Sequence, residues 1–221
     1  MRVLAAMLIP RGGEHVQTYE LAMQGMLSQT FSGEIECYVQ SGEPFAGPPH
    51  DRIALKYERA RQLALEGGFD ALWTIEYDMI CNSSALAQLA DTPGDIVYGL
   101  YCWRHYPYRW NAYVYLDQHN GVSLSDMPER ARDMWGKTIR VKGLGNGCTL
   151  FRRKALERLT FTVRGPAAQD WYIALDADRR HNLKQVCNTN VVCGHMSLTP
   201  RPFVVWPDPQ SLYLYRMDMR T

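Results

Sequence analysis

Residues Val3 to Ile9 form an unbroken apolar run closed by Pro10 and the Gly12-Gly13 pair. A strand apolar on both faces belongs in a sheet covered on both sides, which in practice means parallel strands joined by helices. The next segments supply that alternation. Residues 15–28 carry Val16, Tyr19, Leu21, Met23, Met26 and Leu27 close to helical spacing, which predicts an amphipathic helix. Between Glu34 and Gln40, Ile35, Cys37 and Val39 alternate with Glu34, Glu36, Tyr38 and Gln40, the period of a half-buried strand. The Gly- and Pro-rich stretch 41–49 reads as a loop, with Asp51 as the N-cap of a helix over 52–66 that Gly67-Gly68 ends. Ala71 to Ile75 predicts a second buried strand. Asn82, Ser83 or Ser84 caps a short helix through Leu89, and another strand runs over 95–100.

The second half is less regular. Seven Tyr and Trp side chains crowd residues 101–115, and aromatics with polar tips serve cores and ligand walls alike. Residues 121–135 read as a loop or short polar helix. Strands are predicted at 138–141 and 148–151, helices at 153–159 and 169–180, and a strand over 185–193 that ends at Gly194-His195. The segment from Thr199 holds four of the twelve prolines, which predicts a tail wrapping the surface. The expected organisation is one domain over 1–198 with a tail over 199–221.

At 221 residues and 46% apolar side chains, the chain is long enough to bury a core without staples. Its 24 basic and 23 acidic side chains remove the electrostatic case for a dedicated nucleic-acid or anionic-membrane binder. No apolar run approaches the ~18 residues of a membrane helix. The opening Arg2 to Ile9 lacks the basic start and the A-x-A site of a secretory leader. Cys37, Cys81, Cys102, Cys148, Cys187 and Cys193 include no C-x-x-C pair. That excludes zinc-ribbon and thioredoxin-like motifs and fits reduced thiols in a cytoplasmic protein.

Glu76-x-Asp78 follows directly on the second buried strand, so both carboxylates leave one short turn beyond its carboxyl end. Oxygen donors of this kind suit Mg²⁺ or Mn²⁺, ions that commonly bridge to phosphate oxygens. The bland alternative is two solvated loop acids. Gly143-x-Gly145-x-Gly147 lacks the G-x-G-x-x-G spacing of a dinucleotide fingerprint. It serves either as a simple turn or as a place where backbone approaches a sugar closely. No P-loop, H-E-x-x-H or G-x-S-x-G motif occurs.

Taken in order, Arg61-Gln62, Gly68 to Met79 with its Glu76-Tyr77-Asp78, and Asp95 to Tyr101 resemble the nucleotide-sugar half of a family 2-like GT-A glycosyltransferase. Gly145 to Arg153 resembles that family's glycine-rich acceptor-side segment, Gln169-Asp170-Trp171-Tyr172 its E-D motif, and Cys193-Gly194-His195 its late metal-binding histidine. The resemblance covers about residues 2–196. Glu76 stands where Asp is usual, and Gln169 where Glu is common.

The resemblance implies a GT-A-like α/β/α sandwich with a mostly parallel central sheet. It implies transfer of a sugar from a nucleoside diphosphate sugar to a hydroxyl acceptor, with inversion and with Mn²⁺ or Mg²⁺. Asp78 would ligate the metal, Glu76 would reach it through water or touch the ribose, and His195 would add a neutral imidazole nitrogen. Asp170 would be the base that deprotonates the acceptor; its alternative is an N-cap. Donor contacts are expected from Arg11 and Arg61, each equally suited to a surface salt bridge. Acceptor or sugar contacts are expected from Trp103, Arg104, Gly145, Asn146, Gly147 and Trp171. The acceptor class is open among a glycan, a lipid-linked sugar, a protein and a modified nucleobase. Competing readings are a sugar-phosphate nucleotidyltransferase and a non-catalytic carbohydrate- or partner-binding domain on the same scaffold.

Overall fold

Alternation of side chains along the first strand sets up the architecture. In β1 (Arg2–Leu8), Leu4, Ala6 and Leu8 enter one buried cluster while Val3, Ala5 and Met7 enter another on the opposite face. Successive Cβ atoms of a strand point to opposite faces, so a run apolar at every position must be covered twice. The computed structural model describes residues 1–9, 16–42, 47–143, 145–162, 168–197 and 202–216.

In chain order β1 is followed by α1 (Val16–Leu27), β2 (Glu34–Gln40), α2 (Pro49–Glu66), β3 (Ala71–Glu76), β4 (Met79–Ile80), α3 (Ala85–Asp91) and β5 (Ile96–Leu100). Then come β6 (Tyr113–Leu116), β7 (Gly121–Ser123), α4 (Pro128–Met134), β8 (Thr138–Arg140), β9 (Cys148–Arg152), α5 (Arg153–Arg158) and α6 (Gln169–Arg179). The chain continues through β10 (Gln185–Val192), β11 (Gly194–Ser197), β12 (Phe203–Asp208) and β13 (Leu212–Arg216).

Seven strands form the central sheet in the order β2-β1-β3-β9-β5-β10-β8. Strand β1 is parallel to β2 and β3, and β10 is parallel to β5, while β9 runs against both of its neighbours and β8 against β10. The sheet is therefore mostly parallel. Helices α2, α5 and α6 bury Ala60, Leu156 and Ile173 on one face, and α1 and α3 bury Met26 and Leu86 on the other. The result is the expected three-layer sandwich.

A smaller antiparallel sheet, β13-β12-β11-β4, closes one end. Its last two strands come from the segment expected to wrap the surface. Phe203 and Val205 of β12 are buried in the core, so their apolar side chains outweigh the proline content, and Pro207 lies within β12 itself, in register with Tyr213. The strand expected over 185–193 is β10, whose pairing to β5 shifts between Asn188 and Val192, and residues from Gly194 begin a further strand that pairs with β4. Helix α2 begins at Pro49, with Pro48 at the N-cap and Asp51 inside the first turn. Proline is already set for the first helical position, so it displaces Asp51 as the start signal.

Candidate functional site: an acidic cluster and an aromatic cleft

Glu76 is the last residue of β3, and its N–H donates to the Gly147 carbonyl at 2.9 Å. Two residues later Asp78 lies against β11, where the Met196 N–H donates to its carbonyl at 2.8 Å. The pairing of β4 with β11 sets His195 opposite Met79. These three strand ends bring Glu76, Asp78 and His195 together, with one ligand atom of each within 4.8 Å of the others.

The imidazole is oriented by its backbone partner. A carbonyl oxygen only accepts, so the contact between His195 Nδ1 and the Cys102 carbonyl at 2.7 Å places a proton on Nδ1. Nε2 then faces the Asp78 Oδ2 at 3.5 Å. Backbone anchoring of one ring nitrogen is the usual arrangement behind a metal-ligating histidine. Tyr101 packs edge-on against the ring, with centroids 5.4 Å apart.

Burial opposes an ionised Asp78, yet His195 and then Arg104 outweigh it and hold the carboxyl below its ordinary range. Burial likewise opposes an imidazolium at His195, and the Asp78 charge overrides it in the other direction. Glu76 is pushed up to about 7, first by burial and then by the negative charge of Asp78, with His195 partly opposing. Tyr57 of α2 donates to Glu76 Oε1 at 3.3 Å. Asp78 Oδ1 is buried and has no hydrogen-bond partner. A carboxylate oxygen removed from water without a partner is costly, and beside a second carboxyl group and the His195 Nε2 it has the donor set of a divalent-cation site.

The glycine segment forms the floor between this cluster and a cleft of about 280 Å³ lined by Trp103, Tyr113, Gly145, Asp170 and Trp171 among others. A Cβ on Gly145 would lie 2.2 Å from Tyr101 Oη, and one on Gly147 would lie 2.7 Å from Met79 Cε, so side chains are excluded where the backbone runs under Tyr101. Tyr113 sits between Trp103 and Trp171, at 6.0 and 5.8 Å between ring centroids. Its hydroxyl is buried without a partner. The aromatic stretch thus divides its labour: Trp110 fills the core, Trp103 and Tyr113 face the cleft, and Tyr106 is exposed.

Asp170 is the second residue of α6, and Ala168 occupies the N-cap. Asp170 is thus not at the N-cap position itself, yet its Oδ1 accepts the first-turn Trp171 N–H at 2.9 Å, as the capping alternative requires, while its Oδ2 faces Gly145 across the cleft wall. Trp171 is steadied by donating Nε1–H to the Asp117 carbonyl at 2.8 Å. Asn146 is buried, its carbonyl accepting from Thr74 at 2.8 Å and its Nδ2 left without a partner.

Two expected contacts move. Arg104 pairs with Asp78 Oδ2, which places it on the acidic cluster instead of the cleft. Arg61 is not available to a donor: it grips Glu58 through two nitrogens at 2.9 and 2.6 Å and the Leu156 carbonyl at 2.6 Å, tying α2 to α5. Arg11 lies outside the described residues. Tyr57 belongs to the site without any signal in the sequence, since an isolated tyrosine at a helical position reads as core, whereas Tyr101 comes from the aromatic stretch whose sequence left core and ligand wall open. Among the described residues no helix is long and apolar enough to cross a membrane.

The sheet, its two helical layers and the acidic turn at the end of β3 define a GT-A glycosyltransferase fold. Among solved structures, A197 from STIV superposes with a TM-score of 0.59 at 15% identity, covering 99% of this chain and 95% of that one. S. aureus TarS 1-349 in complex with UDP gives 0.53 at 11% identity, over 86% of this chain and 58% of that one. GalNAc-T7 with UDP, GalNAc and Mn²⁺ gives 0.55 at 9% identity, over 88% of this chain and 44% of that one. The chain thus spans about half the length of these last two. No protein-family model matches the sequence, and no curated protein does.

Proposed function

We propose that this chain is a glycosyltransferase that moves a sugar from a nucleoside diphosphate sugar to a hydroxyl acceptor with inversion at the anomeric carbon. The observation that carries the reading is the buried, unpartnered Asp78 Oδ1, set beside Glu76 and His195. The UDP held by TarS and by GalNAc-T7, and the Mn²⁺ in the latter, support a nucleotide-sugar donor and a divalent cation here.

Asp78, Glu76 and His195 would hold the cation, Mn²⁺ or Mg²⁺. When bound, it would neutralise the negative charge that grows on the departing diphosphate. The rest falls to side chains of the cleft. Trp103, Tyr113 and Trp171 offer ring faces to a sugar, and the unpartnered Tyr113 hydroxyl offers it a hydrogen bond. Asp170 accepts the acceptor's hydroxyl proton as that oxygen bonds to the anomeric carbon. The bond from that carbon to the phosphate oxygen breaks on the opposite face, and its electron pair leaves with the diphosphate. A positioned base contributes typically ~10²–10⁴-fold to such a step.

The test is a panel of UDP-, GDP- and TDP-sugars with Mn²⁺, followed by product analysis. Donor consumption with an inverted anomeric product is expected, and Asp170→Asn should keep donor affinity while turnover collapses. A retained configuration, or near-normal turnover in Asp170→Asn, would remove Asp170 from the role of base. Pyrophosphate exchange with a sugar phosphate would instead mark a nucleotidyltransferase.

A further inference from the structure

Three cysteines that the transfer chemistry does not use meet behind the site. The Sγ atoms of Cys81, Cys148 and Cys193 all lie within 4.8 Å of one another, and those of Cys81 and Cys193 are 3.3 Å apart. Topology causes the meeting. The pairs Gly194 with Ile80 and His195 with Met79, carried one step further, set Cys193 opposite Cys81. Cys148 is the first residue of β9, which lies against β3 and β5.

The surroundings are apolar: Trp73, Val97, Leu150 and Val191 belong to the same buried cluster. In that environment one polar group stands out. The indole N–H of Trp73, itself fully buried, has no hydrogen-bond partner. Gly99 leaves room for the Cys148 sulfur, since a Cβ there would lie 3.1 Å from it.

We propose that Cys81, Cys148 and Cys193 form a three-sulfur site for a soft, thiophilic monovalent ion, with Cu(I) the best match. Thiolates select Cu(I), zinc or iron–sulfur centres. Structural zinc requires four ligands, and among the described residues this group supplies three. A water in fourth place is disfavoured, because Cys148 and Cys193 are fully buried and Cys81 is only 6% exposed. Three sulfurs around one ion at ~2.3 Å would stand about 4 Å apart. Cys81 and Cys193 would have to separate by about 0.7 Å to reach that spacing. Each S–Cu bond releases the proton that its sulfur carried, and no electron is transferred.

Placement gives such an ion a role. Cys81 follows Asp78 by three residues, Cys193 precedes His195 by two, and Cys148 follows Gly147 directly. An ion there would pin β4, β9 and β11 to one another and fix the three motifs in front of it.

The experiment titrates the reduced full-length chain with Cu(I) alone, without oxygen, following sulfur-to-copper charge-transfer absorption and the copper X-ray absorption edge. Expected are saturation at one ion per chain, only sulfur neighbours, and a raised Tm. Cys148→Ala and Cys193→Ala should abolish the band, whereas Cys187→Ala, a buried thiol outside the cluster, should keep it. The spectrum of the unmutated chain decides the matter even where a variant does not fold. The proposal is overturned by no charge-transfer band, by copper retained in Cys148→Ala, or by Zn(II) bound as tightly as Cu(I). A Cys81–Cys193 disulfide mapped by mass in the air-purified chain would also overturn it. None of these readouts involves sugar transfer, so the site stands or falls apart from that activity.

Discussion

Substituting Gly145 by alanine tests whether the floor of the site is packed as described. The added Cβ would lie 2.2 Å from Tyr101 Oη and 3.1 Å from Asp170 Oδ2. Ordinary contact needs ~3.5 Å, so either the tyrosine or the glycine segment must move by roughly 1 Å. Tyr101 has little freedom, being buried with its ring edge-on to His195. Overpacking of this kind costs about 1–3 kcal/mol, and a 1 Å displacement beside reacting groups costs about 10²-fold in rate.

The severe clash is with the tyrosine oxygen, the Asp170 contact being tight by only a few tenths of an ångström, which makes the larger effect separable. In Tyr101→Phe the nearest remaining ring atom to that Cβ is Cζ, at 3.4 Å, an ordinary contact. That change alone removes the acceptor of the Gly147 N–H, now 3.3 Å from Tyr101 Oη, at a cost of about 1 kcal/mol. Denaturant unfolding of all four chains of the cycle should therefore show Gly145→Ala costing 1–3 kcal/mol beside Tyr101 but only about 0.5 kcal/mol beside Phe. Donor hydrolysis should recover in the double variant. Additivity within about 0.3 kcal/mol would show that the two residues do not touch, and the description of the floor would fail with it.

Asp78→Asn should abolish cation-dependent donor binding, measured by calorimetry with and without EDTA; unchanged affinity and EDTA sensitivity would refute the metal assignment. Arg61→Ala should lower stability by about 1–3 kcal/mol, because Glu58 loses a partner while still accepting the Phe161 N–H, and donor affinity should not change; a loss of affinity would return Arg61 to the site. The Asp95 carboxyl is held below its ordinary value because the Lys184 N–H and the Lys154 ammonium outweigh burial. Its contribution is present above the unfolded value of about 3.9 and is lost as pH falls through the folded value. Wild type should then lose more stability than Asp95→Asn below about pH 4, and parallel acid limbs would exclude this linkage.

Most of the sandwich could be read from residues because its signals are local. The double-faced apolar run of β1, the alternation of β2 and the Gly67-Gly68 stop each depend on a few neighbours, and the structure places those elements within a few residues of expectation. The acidic turn was legible for the same reason, since Glu76 and Asp78 share one strand end. What stayed hidden depends on pairing. The family resemblance names His195 as a ligand beside Asp78, but the route is not in residues 185–195 themselves: His195 reaches Asp78 because the chain leaves β10 and pairs with β4. Tyr57 reaches Glu76 across the packing of α2 on the sheet. The cysteines make the point most sharply. Judged by spacing they are scattered, and the lack of any C-x-x-C pair argues against a metal. Yet a ladder places residues opposite one another by register, however distant in sequence, so two thiols flanking the acidic and histidine motifs meet for the reason that Asp78 meets His195. Wherever antiparallel strands carry the two halves of a site, ligands behind that site will be found by register and missed by motif.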